Sequence, residues 1–124
     1  MSTTPDQTMT RYVVLIFQRE SPGGLADIPR EIMEANERFD DRITEQGGRV
    51  VAGLALEPTS AATAIRGAAV TDGPFIETKE ALAGLYILEA RDLDHAIAIA
   101  RMTPSWEGGV EIRPLLDFQV MEAT

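Results

Sequence analysis

Asp72, Lys79 and Arg113 are the residues of this chain whose chemistry is easiest to put to work. A carboxylate taken out of water can act as a general base, and a lysine or arginine beside it can hold an anionic group or stabilise developing negative charge. Asp72 opens the stretch Asp72-Gly73-Pro74-Phe75, followed by Glu77, Lys79 and Glu80. Asp-Gly is a turn pair, and Pro74 lacks a backbone donor and fixes φ, so a strand arriving here must end. Stiff backbone and charge concentrated in one loop mark a functional edge. On this basis Asp72, Lys79 and Arg113 are candidate catalytic residues. Gly73, Pro74, Phe75 and Glu77 are candidate ligand contacts, with Trp106, which lies in the loop Ser105-Trp106-Glu107-Gly108-Gly109. The plain alternative is a strand-ending turn with a surface salt-bridge cluster, in which Arg113 pairs with Glu111 or with an acidic residue of a partner subunit.

Composition narrows the chemistry further. The 124 residues form one domain by length. With 20 acidic and 11 basic residues the net charge is −9, which repels phosphate backbones and anionic membrane surfaces and argues against nucleic-acid binding. There is no cysteine, which excludes disulfides, thiolate catalysis and cysteine-ligated metal sites. One histidine, His95, cannot build a histidine-rich metal site, so no metal and no cofactor are expected. Residues 1–10 are polar and contain Pro5, without the basic start and apolar stretch of a secretion signal, and read as a disordered lead-in to a domain over 11–120. No apolar run approaches the roughly 20 residues of a membrane span, and a cytoplasmic location is the expectation.

The elements that must position these residues follow from periodicity. Tyr12 to Phe17 is wholly apolar, as in a strand buried on both faces, and is followed by a loop ending in Ser21-Pro22-Gly23-Gly24. Asp27 is a candidate cap for a helix with Pro29 in its first turn. Ile28, Ile32, Ala35, Phe39 and Ile43 form its apolar stripe, Glu31, Glu34, Glu37, Arg38, Asp41 and Glu45 its solvated face, and Gly47-Gly48 its end. Arg49 to Leu56 reads as a strand with Gly53 as a possible bulge. Ala61 to Arg66 and Ala68 to Thr71 form a hairpin around Gly67 leading into the Asp72 loop. Ala83 to Ala90 is a further strand with both faces apolar. Asp92 caps a second helix with Leu93, Ala96, Ile97 and Ala100 as its buried stripe, stopped by Pro104. His95 then projects about 160–200° away from that stripe at 100° per residue and is read as solvent-facing. Val110 to Val120 alternates as a last strand, broken at Pro114.

Strand, helix, strand occurs twice around an inserted hairpin, which predicts an α+β ferredoxin-like sandwich. Two helices cover only one face of such a sheet, yet three of its strands are apolar on both sides. An exposed apolar face of this size predicts a homodimer packed sheet to sheet, whose burial at about 25 cal/mol per Å² is worth several kcal/mol. In that assembly the Glu111, Arg113 side of the last strand lines the space between the sheets and brings Arg113 towards the Asp72 loop.

The combination of Asp72-Gly73-Pro74-Phe75, Glu77-Thr78-Lys79-Glu80, Gly84-Leu85-Tyr86, Asp92-Leu93-Asp94-His95-Ala96 and Val110-Glu111-Ile112-Arg113-Pro114-Leu115 resembles the DGPF-domain branch of the YCII-related proteins over roughly residues 11–118. The resemblance implies a ferredoxin-like fold assembled as a dimeric α/β barrel, and a functional link to alternative sigma factors, beside which family members are often encoded. Some relatives carry a histidine near the start of the first helix, paired with an aspartate, as a proposed catalytic pair. Residues 28–36 contain no histidine here, so that chemistry is not carried over. Two function classes stand: a non-catalytic dimer that binds an unknown small molecule, and a cofactor-free lyase or isomerase acting on a small hydroxylated or carbonyl compound with Asp72 as base.

Overall fold

A computed structural model describes residues 8–20 and 24–121. The lead-in expected over 1–10 therefore falls mostly outside the described residues, as do Ser21, Pro22 and Gly23 of the first loop. Strand β1 (Thr10–Arg19) is followed by helix α1 (Arg30–Glu45) and strand β2 (Arg49–Ala55). Strands β3 (Thr63–Arg66) and β4 (Ala69–Asp72) come next, then the long β5 (Glu80–Ala90), helix α2 (Leu93–Ala100) and β6 (Gly109–Pro114). The main sheet runs β2-β5-β1-β6, and every neighbouring pair is antiparallel. β3 and β4 form a separate two-stranded hairpin. This mixed α+β architecture, with two helices and antiparallel sheets, is compatible with the ferredoxin-like expectation.

Alternation along β1 and β5 decides which side chains meet the helices. Tyr12 and Val14 of β1, with Tyr86, Leu88 and Ala90 of β5, point to one face and pack against Phe39 and Ile43 of α1 and Ala96, Ile99 and Ala100 of α2. Both helices therefore lie on the same side. The opposite face holds Val13, Leu15, Leu54, Leu85 and Ile87, all apolar, and none of the described residues lays a helix over it. In the core, the Phe39 and Tyr86 rings meet edge to face at 5.5 Å, and the Tyr86 hydroxyl shares a 2.8 Å hydrogen bond with Thr103 Oγ1. Burial pushes the Tyr86 phenol up to about 12, while the Thr103 contact pulls the other way, so Tyr86 stays neutral and serves packing.

Several expectations shift by a few residues for identifiable reasons. α1 starts at Arg30 with Pro29 at its N-cap and no side-chain cap, and Asp27 belongs instead to a short 3₁₀ turn over Gly24–Asp27. Proline cannot donate and its φ suits that boundary. The irregularity in β2 falls between Val50 and Ala52, while Gly53 sits in register opposite Tyr86. Residues 59–61 coil into a 3₁₀ turn, so the hairpin begins at Thr63, and Asp72 is the last residue of β4 rather than the first of a loop. The alternation of 110–120 is a strand only as far as Pro114: Leu116 is fully exposed and Val120 is exposed beyond it. Loss of the proline donor ends the ladder.

The largest correction concerns His95, which is buried. Its Nδ1 accepts the Arg91 backbone N–H at 3.0 Å, so the proton resides on Nε2, which donates to the Gln46 carbonyl at 2.7 Å. The buried face of α2 is His95, Ala96, Ile99 and Ala100, while Leu93 is half exposed. That stripe is turned by roughly 80° from the expected one, at 100° per residue. Asp92 does cap the helix, accepting the His95 N–H at 2.8 Å. The imidazole thereby ties the start of α2 to the end of α1, beside Gly47 at φ +83°. Replacing His95 by alanine removes both ring partners and leaves backbone groups unpaired. It should cost about 1–3 kcal/mol of stability, seen as a lower urea midpoint at unchanged slope.

Candidate functional site

The end of the sheet where β1 finishes and β5 begins gathers the loops that carry candidate chemistry. Arg19 pairs with Glu80 in the ladder, and the strand–helix and hairpin connections open at the same edge. Here lies a cleft of about 830 Å³, lined by Phe17, Leu56, Pro58, Ala61, Ala62, Pro74, Phe75, Ile76, Ala81 and Leu82, with Glu57, Thr59, Glu77 and Thr78 as its polar members. Its size falls in the usual range for small-molecule sites, as does a mostly apolar wall with a few polar groups. The floor is apolar because Phe17, Ala81 and Leu82 are consecutive rungs of the β1–β5 ladder at its irregular register.

Leu56, Glu57, Pro58 and Leu82 are shared with an adjoining compartment of about 320 Å³ that also contacts Gln18, Arg19, Ile28 and Trp106. The Trp106 loop is pinned to the end of β1. Arg19 N–H donates to the Trp106 carbonyl at 3.0 Å, Trp106 N–H to Gln18 Oε1 at 3.4 Å, and the Ser105 hydroxyl to the Phe17 carbonyl at 2.8 Å. A Cβ on Gly108 would stand 2.0 Å from the Phe17 carbonyl oxygen, so only glycine permits this approach. The Arg19 guanidinium lies 5.7 Å from the Trp106 ring centre and pairs with Glu107 at 3.2 Å.

Of the residues expected from sequence, Pro74, Phe75 and Glu77 line the larger cleft and Trp106 lines the smaller. Gly73 supports them from behind at φ +100°, its N–H donating to the Ala62 carbonyl at 2.8 Å. Asp72 and Lys79 are exposed at the margins and line neither compartment. Arg113 pairs with Glu111 at 3.1 Å, as one of the two sequence readings has it. Arg113 sits opposite Val13, whereas Lys79 precedes the residue opposite Arg19. Six positions of β1 separate the two levels, about 20 Å at ~3.3 Å per residue, so one protomer does not bring Arg113 to the 72–79 segment. Tyr12 and Tyr86 belong to the core rather than to a pocket. Sequence reasoning missed Phe17, Leu56, Glu57 and Leu82 as cleft residues, since their strand-end positions carry no distinguishing spacing. Among the described residues no group of three or more Asp, Glu or His is placed to hold a metal ion.

The YCII-related domain model matches residues 10–119, which spans both helices, the main sheet and the whole cleft. The chain belongs to the YCII-related family. It is 46% identical over 68 residues, 48% of its length, to an uncharacterised protein of Rhizobium meliloti (strain 1021), and the match spans 54%, about half, of that relative's own length. No helix of this YCII-related chain, among the described residues, is long and apolar enough to cross a membrane.

At the other end of the sheet of this YCII-related chain, a third cavity of about 510 Å³ is polar and includes Arg11, Glu89, Leu115 and Phe118. Arg11, Glu89 and Arg49 stand side by side on three strands of the open face, and the Nε of each arginine lies 2.8 Å from a different Glu89 oxygen. The hydrogen bond from Arg49, followed by that from Arg11, holds the Glu89 carboxyl below its ordinary 4.5. A carboxyl with a lowered folded value stabilises the protein above its unfolded value and loses that contribution as pH falls through the folded one. Acid titration of stability should therefore steepen below about pH 4.5, and Glu89→Gln should flatten that limb in urea melts taken across pH.

Proposed function

We propose that this YCII-related chain is a small-molecule-binding homodimer whose ligand occupies the two-compartment cleft between the 74–78 segment and Trp106. The single observation that carries it is the cleft of about 830 Å³ with Phe75 and Pro74 on its wall, continuous through Leu56 to Pro58 with the compartment under Trp106. Phe75 and Ile76 are 55% and 69% exposed, which leaves apolar surface at the cleft for a ligand to cover. We place the chain in the DGPF branch on its Asp72 to Phe75 signature, with the sigma-factor link that this branch implies.

The dimeric barrel belongs to the same proposal. Its support is the face carrying Val13, Leu15, Leu54, Leu85 and Ile87 opposite the helices, since an apolar sheet face gains about 25 cal/mol per Å² on burial. Arg113 and Glu111 lie on that face, so a partner protomer is the route by which Arg113 would reach the neighbourhood of Asp72, where Arg66 of the same protomer already stacks on Phe75. Light scattering at micromolar concentration should give the mass of a dimer; a monomer mass would remove that route. For the cleft, a thermal-shift screen of small aromatic and aliphatic compounds should yield binders, because a ligand of the folded state raises stability by mass action. Phe75→Ala and Trp106→Ala should each weaken such a binder about 5-fold to 100-fold, the scale of losing an aromatic anchor. Binders unaffected by either substitution would contradict the cleft.

A further inference from the structure

The charge on the cleft walls identifies the class of molecule that fits it. The polar groups of the larger compartment are two exposed carboxylates, Glu57 and Glu77, and two threonine hydroxyls, and among the described residues no lysine, arginine or histidine lines it, while Arg19 and Glu20 line the smaller one. Both hydroxyls are already engaged: Thr59 Oγ1 donates to the Glu20 carboxylate at 2.5 Å, and Thr78 Oγ1 to the Glu80 carbonyl. Glu57 and Glu77 have neither ion pair nor hydrogen bond among the described residues. Lys79, two residues beyond Glu77, is exposed and lines neither compartment, and two neighbouring arginines are engaged. The Arg66 guanidinium stacks 3.9 Å from the Phe75 ring centre, and Arg19 is shared between Glu107 and Trp106. What remains is an apolar hollow with unpartnered negative charge, beside an aromatic ring already shown to accept a cation on its face.

From this we infer that the ligand of the cleft is an organic cation, an ammonium on an aromatic or branched apolar body, with the body seated between Phe75 and Leu82 and the ammonium directed at Glu57 and Glu77. The inference rests on the small-molecule cleft proposed above and gives it a chemical class. An anionic ligand entering the larger compartment would meet two carboxylates, with the lining Arg19 of the smaller one already paired with Glu107, in a chain whose net charge of −9 already repels it. A neutral ligand would gain the apolar contact but leave both carboxylates unpaired. An ammonium gains both, together with attraction to aromatic faces, which strengthens as water is excluded. Glu57 lines both compartments, so one carboxylate can serve a cation whose apolar body extends in either direction.

The test is calorimetric titration of the full-length protein with three matched probes: 2-phenylethylamine, 2-phenylethanol and 3-phenylpropionate. The amine should bind about 5-fold to 10-fold more tightly than the alcohol, the scale of one or two partly exposed ion pairs, and the carboxylate more weakly than either. Glu57→Gln and Glu77→Gln should each shrink the amine-to-alcohol ratio by lowering the amine's affinity more than the alcohol's. Equal binding of all three probes, or a preference for the carboxylate, with Phe75→Ala still weakening them, would overturn the cationic class and leave the cleft standing. An amine preference that survives both glutamine variants would also overturn it. Binding of no probe, or binding indifferent to Phe75→Ala and to filling the hollow by Ala61→Trp, would remove the cleft itself. The folded state of each variant is checked by its circular dichroism spectrum.

Discussion

The antiparallel pairing of β1 with β5 is the constraint on which the rest depends. It runs from Thr10 opposite Ala90 to Arg19 opposite Glu80, and because side chains alternate along a strand, its register assigns every apolar residue of both strands to one of two faces. A slip of one position would set Tyr12 and Val14 on the same face as Ile87 and Leu85, so that one of the two strands would turn its buried set away from the helices. The same pairing holds β2 and β6 at the outer edges, since each pairs with one member of it. It also fixes where the loops go. The connections entering β5 and leaving β1 emerge at one end, and the cleft forms there because Phe17 and Leu82 are the last apolar rungs before the polar ones.

The register contains one irregularity, between Ile16 and Phe17, and its position matters. Gly84 pairs with Ile16 and Leu82 with Phe17, so Ala83 is the extra residue. A Cβ at Gly84 would come within 2.5 Å of the Leu54 carbonyl, a close approach that lets β2 stay against β5 as the ladder shifts. Beyond this point β2 can hand over to the 56–58 segment while still bonded through the Leu56 N–H to the Ala83 carbonyl at 2.8 Å. The segment shared by the two compartments of the cleft is thus a direct continuation of the strand ladder.

Much of the fold was legible because strand and helix periods were strong. The unbroken apolar run Tyr12 to Phe17, the stripe ending in Phe39 and Ile43, and the Asp92 cap each forced a local structure that packing then used. His95 was illegible for a specific reason. A polar residue on a helical wheel is assigned outward, and nothing in sequence signals that the backbone of Arg91 and the carbonyl of Gln46, 49 residues away, will satisfy both ring nitrogens. The 115–120 alternation misled for the opposite reason, since its period was right but Pro114 had already ended the ladder. At the candidate site the turn chemistry of Asp72 to Pro74 pointed to the loop that carries Phe75 and Glu77, while Trp106 was singled out by its own loop, Ser105 to Gly109. The opposing wall was not legible, because Phe17, Leu56 and Leu82 read as ordinary strand residues until the fold sets them at an edge.

The distribution of arginine explains how a cleft can remain acidic in a folded domain. Each arginine within the strands of the main sheet is matched to something fixed: Arg11 and Arg49 to Glu89, Arg113 to Glu111, Arg19 to Glu107 and Trp106. These pairs are part-exposed and contribute little individually to stability, but they hold positive charge at defined places on the β-strands and their ends. With acidic residues in excess, some carboxylates must go without a partner, and α1 sheds most of its own into solvent along Glu31, Glu37 and Glu45. Glu57 and Glu77 are exposed as well, but they differ in lining a cleft whose other wall residues are mostly apolar. The same excess that α1 turns to solvent sets, at the end of the sheet, two carboxylates on the wall of a hollow of ligand size.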